Sequence, residues 1–275
     1  MAGYKIVIAC CICLGFFTLN PWAKGQADDG NGAPAAGENG DGENSIDAEA
    51  LVRGADLSRS SEAGLQVEVR IVNHDGEKRD ALVYRVRTKS GMALIQGLAP
   101  STHRGEVILL RGGRMFYAKP GLSRPISISS RQRLMGRAVN GDIALTRFAD
   151  DYQASLEGEE SLDGIPAYRL LLQAKTPSAT YERVRYWIAK DSGLGIRADF
   201  LNARGVTLKT ATYEYDNRLG HGSSAHPFLS RMIIRDPRNP SAYTVLTYGS
   251  PKAVPLDPSL FSLEGLLDHT AVREP

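Results

Sequence analysis

From Leu65 onward the chain alternates apolar and polar residues with period two. Leu65, Val67, Val69 and Ile71 fall on one face, and Gln66, Glu68 and Arg70 on the other. That is the pattern of half-buried strands, whose successive side chains point to opposite faces. Asn73-His74-Asp75-Gly76 reads as a hairpin turn, after which Leu82, Tyr84 and Val86 resume the alternation. Further strands are predicted over 92–98, 106–111 and 115–118, with Gly112-Gly113 as a tight turn. Beyond residue 150 the alternation returns over 152–160, 166–175, 182–189, 195–202, 206–215, 228–235 and 242–248.

Two stretches break the period. Residues 46–61 read as a helix, with Asp47 as its cap and Leu51, Val52, Ala55 and Leu57 as its apolar stripe. Residues 119–150 carry Pro120, Pro125 and basic residues (Arg131, Arg133, Arg137) among scattered apolar ones. They read as an irregular crossing followed by short helices. A last segment, 256–267, is rich in Pro and Leu and is expected to close one end. About ten or eleven strands at hairpin spacing, with few helices, predict an antiparallel α+β or barrel-like domain. No βα alternation points to a doubly wound sheet.

The N-terminus has a different character. Lys5 precedes an apolar run, Ile6 to Leu19; Asn20-Pro21 ends it, and Ala23-Lys24-Gly25 offers small residues for cleavage. Residues 1–25 therefore read as a secretory signal peptide, which predicts export. An uncleaved anchor and a lipoprotein signal ending at Cys10 are the alternatives. Residues 26–45 are Gly, Asp, Glu, Asn and Ala with almost no bulky apolar side chain, the composition of a disordered acidic linker. This leaves 46–275 as the folded domain.

Composition narrows the function classes. The chain has 275 residues, is 42% apolar, and has a formal charge of +2. Two basic and seven acidic residues lie in 1–49, so the remainder carries +7. Such a surplus suits anionic head groups or an acidic membrane partner, and equally plain solubility. Cys10, Cys11 and Cys13 are the only cysteines, so the body has no disulfide and no thiolate metal site. There is no nucleophile elbow, P-loop, zinc-protease motif or dinucleotide fingerprint. No catalytic residue, metal site or cofactor is predicted, and the protein reads as a non-enzyme. His221 and His226 sit in a Gly/Ser-rich loop without a spaced acid. Asp150-Asp151 and Glu157, Glu159 and Glu160 read as a solvated rim rather than as a general acid/base pair. Arg183 and Arg185 lie near Tyr181, Tyr186 and Trp187, but alternation separates the arginines from Tyr186, so no nucleic-acid platform is predicted.

What the chain supplies is apolar surface on many strands, covered by little. Either the core is solid, or a space between sheet and cover admits an apolar ligand. Several strings then stand in a suggestive order. They are Arg124 to Ser129, Leu134-Met135-Gly136, Gly141-Asp142-Ile143-Ala144 and Asp150-Asp151-Tyr152. After these come Gly164 to Leu170, Tyr186-Trp187-Ile188-Ala189-Lys190 and Thr210 to Tyr215. In this order the chain resembles the outer-membrane lipoprotein-sorting protein family, with the LolA-like fold.

That resemblance implies a curved, half-open antiparallel sheet closed by helices around an apolar interior. It implies a periplasmic carrier that shields the acyl chains of a lipid or lipoprotein between envelope membranes. An inner-membrane exporter and an outer-membrane acceptor would be its partners. A sensor or regulatory module of the same fold, binding a partner protein and lipid, is the alternative. The wall of the cavity is expected to include Val67, Val69, Leu82, Tyr84, Leu170 and Leu172. Val184, Tyr186, Phe200, Leu208, Met232 and Ile234 complete it. The lid is expected in 119–150 with the helix at 46–61, and Leu134, Met135, Ile143 and Phe148 would plug the empty cavity.

Overall fold

A computed structural model describes residues 46–76, 78–145 and 147–270. The signal-peptide, Cys10 and linker readings lie outside these residues. The first helix, α1 (Ala48–Asp56), is capped by Asp47, whose carboxylate accepts from the Ala50 amide at 3.0 Å. It is shorter than the expected 46–61. The hydroxyls of Ser58 and Ser60 donate to the carbonyls of Ala55 and Asp56, and these bonds finish the helix in tight turns.

The period-two segments form a meander. β1 (Leu65–Asp75), β2 (Lys78–Lys89), β3 (Met92–Ala99), β4 (Val107–Arg111), β5 (Arg114–Ala118) and β6 (Ile126–Ile128) pair in sequence. β1 runs on through Asn73 and His74, which pair with Asp80 and Arg79, so these two residues belong to the ladder rather than to the expected turn. An excursion follows: β7 (Arg133–Met135) and β8 (Ala138–Val139) as a separate ribbon, then α2 (Asn140–Ile143) and α3 (Phe148–Asp151).

The second meander is β9 (Tyr152–Leu162), β10 (Ile165–Ala174), β11 (Arg183–Ala189), β12 (Gly195–Leu201) and β13 (Thr207–Glu214). A hairpin, β14 (Asn217–Leu219) and β15 (His226–Phe228), precedes β16 (Arg231–Asp236) and β17 (Asn239–Tyr248). β17 pairs with β1 and joins the halves; the short β18 (Lys252–Ala253) also pairs with β1. The result is one fourteen-stranded antiparallel sheet, ordered β6-β5-β4-β3-β2-β1-β17-β16-β13-β12-β11-β10-β9 with β18 beside the path. It exceeds the ten or eleven strands expected because two- and three-residue strands are too short to show alternation. β6 and β9 do not pair, so the sheet stays open between them.

One face of this curved sheet holds a continuous apolar cluster that takes in α1, α2 and α3. On the other face Leu94, Val107, Leu109 and Ala118 pack against Phe261 and Leu266 in a smaller cluster. The Pro/Leu-rich tail therefore covers the outer face of β3–β5 instead of closing an end. Both faces of those strands are apolar, and the tail removes the outer one from water.

Candidate functional site

Strand register sorts the inner face into rows. One row runs Leu82, Ile71, Leu246, Met232, Tyr213 across β2, β1, β17, β16 and β13. A second runs Leu170, Tyr186, Ala198, Ala211, Ile234, Thr244, Asn73 from β10 round to β1. A third runs Leu172, Val184, Phe200, Lys209. Val67, Val69 and Tyr84 lie in the same buried cluster.

Leu208 is the exception among the expected wall residues. It is 47% exposed on the outer side of β13, while Lys209, Ala211 and Tyr213 face inward. A one-residue step in a strand exchanges the faces. Pattern reading prefers a leucine to a lysine for the interior, but here the lysine has a buried partner.

That partner is on the excursion. Of the expected plug residues, Ile143 and Phe148 are fully enclosed, and Leu134 and Met135 are half-buried against the same cluster. Asp142 of α2 is the polar anchor: its Oδ2 accepts from Lys209 Nζ at 2.5 Å and its Oδ1 from the Tyr181 hydroxyl at 2.7 Å. Lys209 also donates to the Arg137 carbonyl at 3.1 Å and lies over the Tyr181 and Phe200 rings. Burial pushes the Lys209 ammonium below its usual range, and Asp142 opposes that shift.

Glycines let the excursion seat closely. Gly136 has φ +53°, and a Cβ there would fall 2.0 Å from Asn73 Oδ1. The next amide, Arg137 N, donates to Thr244 Oγ1 at 2.8 Å. A Cβ on Gly141 would meet Thr180 Oγ1 at 2.1 Å. Thus residues 129–151 cross the inner face from the β6 edge to the β9 edge. Among the described residues, this segment shares no strand ladder with the main sheet.

The space beneath is filled. Between Arg59, Asp142, Phe148, Tyr152, Phe200 and Met232 only about 10 Å³ remains, no more than one water can occupy. At this point of the inner face, where the sequence led us to expect a hollow, Ile143, Phe148 and Arg59 take up the room. A cleft of about 420 Å³ is bordered by Arg131, Lys175, Glu182 and Arg183, and it is open and polar.

The centre is not wholly apolar. Arg59 is 6% exposed, with its guanidinium 4.4 Å from the Phe148 ring centroid and 5.9 Å from that of Tyr213. No carboxylate among the described residues lies within 4 Å of it. Its Nε and the hydroxyls of Tyr213 and Tyr248 are buried without a hydrogen-bond partner among those residues. Asp56, one turn away, accepts from the Ala149 amide at 2.8 Å and leaves Oδ1 unpartnered. Burial raises its pKa to about 6; Arg59 and the Ala149 and Phe148 amides act against that rise. Sequence reading missed Arg59, Asp142 and Lys209, since each resembles an ordinary surface charge and their burial follows from tertiary packing.

The other candidate groups are dispersed or neutralised. Glu157 and Glu160 pair with Arg169, Glu157 also with Arg185, and Glu159 with Lys190, which lies over the Tyr168 ring. Trp187 donates to Glu160 and lies under Arg197, whereas Tyr186 points inward, so the aromatics form no common platform. His226 bonds the carbonyls of Leu57 and Ser224.

Comparison with known proteins agrees with this architecture. A protein-family model described as "Uncharacterized protein" matches residues 89–268. No curated protein matches the sequence. A LolA superfamily protein from Nitrosomonas europaea is 29% identical over 79% of this chain and 98% of its own, with a TM-score of 0.72. An outer membrane lipoprotein-sorting protein domain from Vibrio parahaemolyticus, 15% identical, covers 80% and 98% with a TM-score of 0.67. A DUF1329 family protein from Desulfovibrio piger, 24% identical, covers 80% and 97% with a TM-score of 0.64.

Proposed function

We propose, from the fold this chain shares with a LolA superfamily protein and an outer membrane lipoprotein-sorting protein domain, that it is a periplasmic carrier for an acylated ligand. The ligand's hydrocarbon replaces the plug: Leu134, Met135, Ile143 and Phe148 leave the inner face, and the acyl chain takes their place against Val69, Leu172, Val184, Phe200 and Met232.

One observation carries this reading. The plug arrives on an excursion between two unpaired edges, with its own private ribbon, held to the sheet through side chains apart from one backbone bond, Lys175 N–H to the Asp151 carbonyl, at its β9 end. It can leave without breaking a rung of the fourteen-stranded ladder. Burying methylenes is worth about 0.8 kcal/mol each, so a sixteen-carbon chain gains roughly 12 kcal/mol. Undocking the plug offsets part of that gain. A carrier needs such a competitor, since a permanently open apolar trough would bind cargo without releasing it.

The test is native mass spectrometry of the full chain after incubation with acyl-chain-bearing vesicles and removal of the vesicles. A mass increase equal to one acylated molecule is expected. A chain that remains at its bare mass after the same exposure contradicts the carrier reading.

A further inference from the structure

We propose that Arg59 forms an anion-binding site in the floor of the carrier, which selects single-chain amphiphiles with a carboxylate or phosphate head. The inference rests on the carrier reading and adds the class of ligand and its orientation: head inward at Arg59, tail along the inner face.

A guanidinium is charged at any pH the protein meets. Removing it from water costs several kcal/mol, and proteins normally offset this with a paired, hydrogen-bonded anion. Arg59 has no such pair among the described residues, and its Nε donates to nothing there. Packing on Phe148 and Tyr213 contributes cation–π attraction, but it satisfies none of the N–H groups. Two further donors are idle in the same interior. The hydroxyls of Tyr213 and Tyr248 have no partner, and both tyrosines, like Asp56, interact electrostatically with the Arg59 charge. Burial raises the pKa of each tyrosine, so they remain neutral and able to donate. An apolar core designed only for stability would use Phe at these positions and Met or Leu at 59.

The small void beside Arg59 is walled by Phe148 and by Asp142 of the excursion. Withdrawal of the excursion enlarges that space beside Arg59. With the excursion seated, the Asp56 carboxylate is engaged by the Ala149 amide and forms no ion pair with the guanidinium. A carboxylate or phosphate is the group that accepts from a guanidinium fork and from hydroxyls together. An ester-linked acyl chain has no such head at its buried end.

The experiment is displacement of a fluorescent apolar probe from the full chain by dodecanoate, dodecyl phosphate, dodecanol and inorganic phosphate. The two anionic amphiphiles should compete at least about tenfold more strongly than dodecanol. Arg59→Met should reduce that ratio to near one. Tyr213→Phe and Tyr248→Phe, which remove only a hydroxyl, should each reduce it by about threefold or more and so serve if Arg59→Met does not fold. Equal competition by dodecanol and dodecanoate in the wild type overturns the anion site but leaves the carrier. Displacement by inorganic phosphate at the same concentration shows a free-anion site and overturns the amphiphile assignment. If neither the probe nor any amphiphile binds, the carrier reading itself fails and takes this inference with it.

Discussion

Asp56 is a carboxylate in a place that penalises its charge, and this gives a pH signature. Its folded pKa is about 6, raised chiefly by burial. An acid whose pKa rises on folding holds its proton more tightly in the folded state. Its contribution to stability is complete below about pH 4 and is lost as pH passes through about 6. The difference amounts to roughly 3 kcal/mol, from about 1.4 kcal/mol per unit. Urea unfolding at pH 4.5 and 7.5 should therefore show a smaller loss of stability with rising pH in Asp56→Asn than in wild type. Identical pH dependence in the two would refute the assignment. A different charge makes a second residue-scale prediction. Lys209→Met strands Asp142 in the interior, where removing one partner of a buried pair costs about 3–5 kcal/mol. Lys209→Met with Asp142→Asn should recover part of that loss in the same denaturation assay.

The excursion 129–151 is the element on which the proposed function turns, and its plug can be weakened in steps. Ile143→Ala and Phe148→Ala should lower stability by about 2–5 and 3–5 kcal/mol respectively. Both should also tighten acyl-ligand binding, because the competitor for the inner face is smaller. Leu208→Asp, on the outer face, should leave stability within about 0.5 kcal/mol and binding unchanged. Ligand titration and chemical denaturation on the same samples would check both effects together. These contrasts also mark where sequence reading stops. Strands as long as β1 or β10 announce themselves by alternation, and eleven expected wall residues, Val67 to Ile234 without Leu208, lie in one buried cluster. Ribbons of two or three residues, such as β7 and β8, are below the length at which period two can be counted. The Leu208/Lys209 exchange was illegible because the reason for it, Asp142, is 67 residues away in sequence. Arg59 was illegible too: an arginine after a helix looks solvated until the sheet folds round it.

At the scale of the molecule, an open-edged sheet offers a way to change occupancy without unfolding. In the proposed exchange the ladder from β6 to β9 stays paired, while plug and ligand trade places on its inner face. The most direct measurement of this claim is to prevent the exchange. A Cβ on Gly141 would stand 2.9 Å from the Cβ of Thr180, near enough that small shifts bring a disulfide within reach. Gly141→Cys with Thr180→Cys, in a chain whose Cys10, Cys11 and Cys13 are changed to Ser, therefore gives a reversible lock between α2 and the β10–β11 connection. Uptake of a fluorescent fatty acid is then followed in the oxidised and reduced forms of the same preparation. The account predicts that the oxidised protein takes up no ligand and that reduction restores binding to the level of the unlocked chain. Equal uptake by the locked and reduced forms would contradict it, since the ligand would then bind without displacing the plug.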